Sequence, residues 1–220
     1  MKIGKLYLGL LLVIIPFLQG LQCDKDVVGN GDPRPQYTFK EKVSLQPYKL
    51  NYSIGDTIWL DVNVAGKRLY DERTSQRILY DSVAFTSIAQ VDLLYNNPFI
   101  GDGPFAKLVY PTGIAAHTNN SLYQTSAFIT YGCSNATDYR LKVGIILLKP
   151  GVFGVSFFNS SITECLTGHF RSAQLFYELD VTDTHKQFYL QQPLSNIGKK
   201  PDEVFLNMLD RKAMVVVQVQ

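Results

Sequence analysis

Between Thr57 and Val64 the chain reads Thr-Ile-Trp-Leu-Asp-Val-Asn-Val, which puts Ile58, Leu60, Val62 and Val64 on one side and Thr57, Trp59, Asp61 and Asn63 on the other. A strict period of two cannot lay an apolar stripe along a helix, so this segment must be a strand with one face against a core. Ala65-Gly-Lys then turns the chain. The pattern returns over 78–95, where Val83, Phe85, Ala89, Val91 and Leu93 share a parity and Asn96-Asn-Pro closes the run. Over 126–133, Ala127, Ile129, Tyr131 and Cys133 share a face, which directs Cys133 inward.

Residues 139–158 form the clearest unit. Leu141, Val143, Ile145 and Leu147 alternate with Ile146 and Leu148, Lys149-Pro-Gly makes a turn, and Val152-Phe-Gly-Val-Ser-Phe-Phe returns, which predicts a hairpin at a sheet centre. Gly144 and Gly154 inside these strands mark bulges or close packing against large aromatics. Strands follow at 176–181 and 214–220, the last with Val215, Val217 and Val219 inward. Between them, residues 201–212 carry Pro201, early acids and late bases, the signature of a short helix. Seven to nine strands with one late helix predict an all-β fold, an antiparallel β-sandwich or partly open barrel, as a single domain over 47–220.

The amino terminus reads differently. Lys2 and Lys5 precede an apolar run over 6–18, too short to span a bilayer but fitted to the core of a secretory signal, so 1–22 reads as a signal peptide. The chain has 21 Lys+Arg and 19 Asp+Glu. Without Lys2 and Lys5 the two signs balance at 19 each (21 − 2 = 19). A phosphate-binding surface needs a basic excess on one face, and none is present, which argues against a nucleic-acid partner. Residues 23–46, rich in Asp, Gly, Pro and Lys, read as a tether between the processing point and the folded body. Asp24, Asp26 and Asp32 within it lack the alternating ligands and closing glutamate of a calcium loop.

Three cysteines in an exported chain leave one unpaired if two form a bridge. Cys133 and Cys165 are the natural pair, and closing their loop would stabilise the fold by roughly 3–4 kcal/mol. Cys23 is then left over. It follows Gly20-Leu-Gln, where a lipoprotein signal places the cysteine that is acylated and becomes the first mature residue. Gln22 stands where a small residue is usual, so the alternative is cleavage after Gly20 with Cys23 kept as a thiol or disulfide partner. The start Cys23-Asp-Lys-Asp, with its Gly/Pro-containing spacer and the later Gly55-Asp-Thr-Ile-Trp-Leu phrase, resembles surface lipoproteins of the Bacteroidetes type. The resemblance implies a lipid anchor at Cys23, display at the outer membrane or cell surface signalled by Asp24 and Asp26, and an all-β body. It implies no activity.

Candidate chemistry is sparse. Of His117, His169 and His185, only His169 has a thiol at ligand-like spacing, in Cys165-Leu-Thr-Gly-His, and no second such pair completes a zinc site. Ser156 lacks the closing glycine of a nucleophile elbow, and no phosphate-cradling glycine loop occurs. The expectation is no cofactor, no bound metal and no catalysis. A hydrolase built from distant carboxylates stands behind it as an alternative. Trp59, on the face opposite the aliphatic one, is the candidate ligand platform for a glycan or envelope-protein partner; the blander expectation packs it under a loop or edge helix. N-x-S/T sequons at Asn51, Asn119, Asn135 and Asn159 keep open a secreted, N-glycosylated protein with Cys23 unlipidated. Against that, Asp56-Thr-Ile and Asp81-Ser-Val resemble the O-glycosylation sequence of Bacteroidetes exported proteins.

Overall fold

The computed structural model describes residues 37–95, 103–110, 115–121, 124–192 and 202–220. The signal peptide, Cys23 and Pro201 lie outside the described residues. Two sheets face each other. The first contains β1 (Thr38–Gln46), β3 (Thr57–Val64), β4 (Arg68–Asp71), β5 (Gln76–Leu79), β7 (Ala106–Val109), β10 (Tyr139–Leu147) and β12 (Gln174–Leu179). Its order is β5-β4-β1-β3-β10-β7, with β12 added along β1. The second runs β2-β13-β11-β6-β9-β8, built from β2 (Asn51–Tyr52), β6 (Val83–Tyr95), β8 (Ala115–Asn120), β9 (Gln124–Tyr131), β11 (Gly151–Glu164) and β13 (Met214–Val219). All pairings are antiparallel except β1 with β12 and β13 with β2.

The core lies where the period-two pattern puts it. Ile58, Leu60, Val62 and Val64 are buried to 3% exposure or less and meet Phe153, Val155 and Phe157 from the opposite sheet within one cluster. Burying each such side chain contributes about 1.5–3 kcal/mol. Polar groups inside are joined to one another. Ser87 Oγ lies 3.1 Å from the Tyr177 hydroxyl, which also bonds the Tyr131 hydroxyl, linking the sheets through β6, β9 and β12. Burial pushes the Tyr177 phenol up to about 12 and the Tyr131 phenol well above its ordinary value.

Four details depart from the sequence reading. The tether does not reach Gln46: residues 38–46 form β1, with Phe39, Val43 and Leu45 buried, so the body starts before residue 47. The few apolar residues there sit at alternate positions and make one core face. Residues 78–95 are two strands, parted by a turn in which Ser82 takes φ 57°. The 139–158 unit is no hairpin. β10 pairs with β3 and β7, whereas β11 pairs with β6 and β13, so Lys149-Pro-Gly carries the chain from one sheet to the other. Both strands are central in their own sheets, which explains why each reads as strongly apolar.

The late helix forms as α2 (Glu203–Asp210), and Asp202 caps it by accepting the Val204 N–H at 2.8 Å. A shorter helix, α1 (Lys186–Gln191), precedes it. Leu209, with Phe188, Phe205 and Met208 partly buried, packs over Met214, Val216, Val152 and Leu94. β13 is therefore apolar on both faces, one toward the sandwich and one toward the helices.

The fourth departure concerns Cys133. It bonds Cys165 with their Cα atoms 5.4 Å apart, as the cysteine count predicts, but the bridge is not inward. Cys133 is exposed just beyond β9, and Cys165 is half-buried just beyond β11. The alternation that buries Ala127, Ile129 and Tyr131 ends at Gly132, whose φ of 116° turns the chain out of the strand.

Candidate functional site: a groove beside the second helix

Where β12 meets the outer side of the second sheet, α2 overhangs a groove of about 730 Å³. Phe158 of β11 and Phe176 of β12 form its floor, and Val204 and Met208 of α2, with Arg211 just beyond it, form one wall. Lys40 and Glu72 stand on the far rim. Val204 is 64% exposed and Phe176 43%, unusual values for large apolar side chains beside a well-filled core. Phe176 is outward because its neighbours Leu175 and Tyr177 take the inward positions of β12.

Charge along the rim is uneven. Lys40 Nζ lies 2.7 Å from Glu178 and 3.8 Å from Glu72, and the bond to Glu178 is the main cause holding its pKa above the ordinary lysine value. Arg211 is exposed and has no acidic partner among the described residues. Gln90, also in the lining, donates through Nε2 to both oxygens of Asp92 at 3.0 and 2.8 Å, and Gln124 Nε2 donates to Oδ1 at 3.0 Å. Asp92 is 6% exposed; burial pushes its carboxyl up against the opposing pull of the bonds from Gln124 and Gln90. Beside Gln90 in register, the buried Ser156 hydroxyl has no hydrogen-bond partner among the described residues. The groove thus combines an apolar floor, a cation without an acidic partner among the described residues, and a polar corner.

Trp59 lies elsewhere, half-buried on the outer face of the first sheet. Its ring crosses Gly144, where an added Cβ would come within 2.8 Å of Trp59 and 2.6 Å of Val109, so the glycine makes room for the indole. Lys142 Nζ stands 4.9 Å from the ring centroid. Both helices pack on the other sheet. Gly154 serves the same purpose there: its added Cβ would meet Met214 Sδ at 2.8 Å.

The remaining candidates are scattered. Among the described residues Glu41, Asp71 and Asp92 are the buried carboxylates, and each has its own partners: Arg77 at 3.0 Å, Thr74 Oγ1 at 2.8 Å, and the two glutamine amides. Among the described residues no three of His, Cys, Asp and Glu gather as a metal site. His185 stacks on Tyr48 with its Nε2 3.1 Å from the hydroxyl, far in sequence from the other histidines. Asn51, Asn119 and Asn135 are exposed, while Asn159 is half-buried with its Oδ1 unpartnered. The groove was missed by sequence reasoning because its members come from five separate elements. The outward phase of Phe176 in β12 was the available signal.

No protein-family model matches this chain, and no curated protein matches it. Among solved structures it is similar to the type II cohesin dyad from the adaptor ScaA scaffoldin of Acetivibrio cellulolyticus, at 10% identity and TM-score 0.33, over 64% of this chain and 46% of that one. The matched part thus spans under half of the dyad. It is also similar to a type II cohesin domain from the cellulosome of the same organism, at 9% identity and TM-score 0.32, over 65% and 92% of the two chains. A non-cellulosomal cohesin from the archaeon Archaeoglobus fulgidus matches at 9% identity and TM-score 0.30, over 70% and 98%. At these values nothing about site or function follows from the likeness.

Proposed function

We propose that this chain is a lipid-anchored, surface-displayed binding module whose groove beside α2 receives an extended protein segment bearing apolar side chains and a carboxylate. The observation that carries the reading is the pairing of exposed Phe176 and Val204 with Arg211, which has no acidic partner among the described residues, along one concavity. Apolar burial would supply affinity, and a carboxylate on Arg211 would fix register by a charge-assisted hydrogen bond. A glycan on Trp59 is less favoured, because the ring has Gly144 on one side and Lys142 over it. The anchor rests on the signal-like leader and on Cys23, which has no thiol partner within the chain once Cys133 and Cys165 are joined. Acyl chains on Cys23 would bury methylenes worth about 0.8 kcal/mol each, enough for stable attachment when two or more are present.

Panning a displayed nine-residue peptide library against the immobilised chain tests the groove. Selected peptides should combine apolar residues with Asp or Glu and lose at least tenfold in affinity against Val204→Asp or Arg211→Glu. Peptides indifferent to both substitutions would overturn the assignment. The intact mass of the chain extracted from host membranes tests the anchor: the mass from Cys23 plus acyl groups is expected. A hexose-bearing, unacylated mass would shift the reading to a secreted glycoprotein.

A further inference from the structure

The turn after β11 presents two apolar side chains almost wholly to solvent, Leu166 at 97% exposure and Phe170 at 79%. They sit on a closed, cross-braced turn. Gly168 N–H donates to the Glu164 carbonyl and Glu164 N–H to the His169 carbonyl, both at 2.9 Å. Gly168 takes φ 68°, which closes the turn without strain. Thr167 Oγ1 bonds Glu164 at 2.6 Å, Arg171 pairs with Glu164 at 2.7 Å, and Cys165 is tied to Cys133 by the disulfide and to the Ser82 carbonyl by its N–H. Residues 165–171 contain no acid, and Glu164 beside them is paired with Arg171. A loop held this firmly cannot fold its apolar side chains back onto the body, so they are kept on display.

The turn lies at the end of the sandwich where the chain enters from its amino-terminal side. β12 begins three residues after Arg171 and runs parallel to β1, with Thr38 opposite Gln174. Gln174 N–H donates to the Tyr37 carbonyl at 3.0 Å, and the Tyr37 ring touches Tyr80, two residues from Ser82. From Cys23 to Tyr37 is fourteen residues (37 − 23 = 14). If they are the flexible tether that their composition predicts, they would average about 20 Å end to end. The fourteen residues of β11 alone extend about 45 Å at 3.3 Å each. An anchor at Cys23 would therefore hold this end, not the opposite one, nearest the lipid.

We infer that the disulfide-braced turn 165–171 is a membrane-contact tip that places Leu166 and Phe170 in the bilayer interface and sets the orientation of the body on its anchor. The inference rests on the lipid-anchor reading for the natural setting. Its test does not, because Cys23 is the one thiol outside the disulfide and can be coupled to a maleimide lipid in phosphatidylcholine–phosphatidylglycerol vesicles. In a Trp59→Phe background, Phe170→Trp should shift its emission to the blue on tethering and be quenched by lipids brominated at shallow acyl positions. Ile54→Trp, at the opposite end, should show neither. Equal or absent quenching at the two positions would overturn the tip even if native acylation is proved by mass. A blue shift at 170 only when host protein is added would overturn it in favour of a protein contact. Leu166→Ser with Phe170→Ser in the native indole background should leave far-ultraviolet dichroism unchanged, since neither side chain is buried.

Discussion

The two outer faces of the sandwich are treated differently. On the second sheet, Met214 and Val216 of β13 are fully buried beneath α1 and α2, and the groove opens along the edge of that roof. On the first sheet, β3 presents Thr57, Trp59, Asp61 and Asn63 outward, and both helices are on the far side. A strand covered on both faces must be apolar at every position, whereas a strand covered on one need only alternate. The difference explains why binding is expected beside the roof. There the sheet's outer apolar surface exceeds what a helix of eight residues covers, leaving Phe158 at the margin, where Phe176 of β12 in the first sheet adjoins the same groove.

The strongest way to break this contrast is to change one residue on each outer face. Val216→Asp, under the helices, should destabilise by more than about 4 kcal/mol because the carboxylate would be buried without a partner. Asp61→Ala on the first sheet should stay within about 0.5 kcal/mol. Urea unfolding gives both values, and similar losses would erase the distinction. Removing the disulfide with Cys133→Ser and Cys165→Ser should cost roughly 3–4 kcal/mol, since a loop of 32 residues is released in the unfolded chain. Because the bridge joins the ends of β9 and β11, hydrogen exchange should quicken there before it does in β3 and β10.

Smaller effects sharpen the same comparison. Trp59→Ala should cost about 1–2 kcal/mol, less than a fully buried aromatic, and leave peptide capture by the groove unchanged. A loss of capture would move the binding face to the first sheet. The smallest signal is a pH dependence. Burial raises the Asp92 carboxyl above its ordinary 3.8, so the folded chain holds that proton more tightly than the unfolded chain. Its ionisation must therefore lower stability as pH rises from about 3.8 through the folded value, after which the effect is constant. Unfolding midpoints of Asp92→Asn, followed from pH 3 to 7, should lack that decline relative to the parent chain.

Much of the fold was legible because period-two alternation is a local signal. β3, β9, β10 and β13 all bury the residues the pattern selects, and the helix Glu203–Asp210 falls inside the 201–212 that its early acids and late bases mark, with Arg211 and Lys212 beyond its end. Pairing partners were not legible. Lys149-Pro-Gly looks like a hairpin turn, yet whether a turn joins neighbours or crosses between sheets depends on side chains far away in sequence, here those of β3, β6 and β13. β1 reads as tether in the sequence because its charged residues are conspicuous. Its Glu41 in fact faces inward, 5% exposed and satisfied by Arg77 and the Tyr70 N–H. The disulfide was readable from cysteine count, but its outward placement depended on the conformation of Gly132. The groove left almost no trace, since Lys40, Gln90, Phe158, Phe176 and Val204 meet only in the folded chain.

The central claim is that the concavity beside α2, and not the outer face carrying Trp59, engages a protein partner. Photo-crosslinking in the host tests it most directly, with a benzophenone amino acid placed at Val204 in one strain and at Asp61 in another. The account predicts one protein crosslinked from position 204, through a peptide carrying apolar and acidic residues, with the yield falling at least tenfold when Arg211→Glu is added. Crosslinking of the same protein from position 61 at equal yield, or yield from position 204 that Arg211→Glu leaves unchanged, would contradict it.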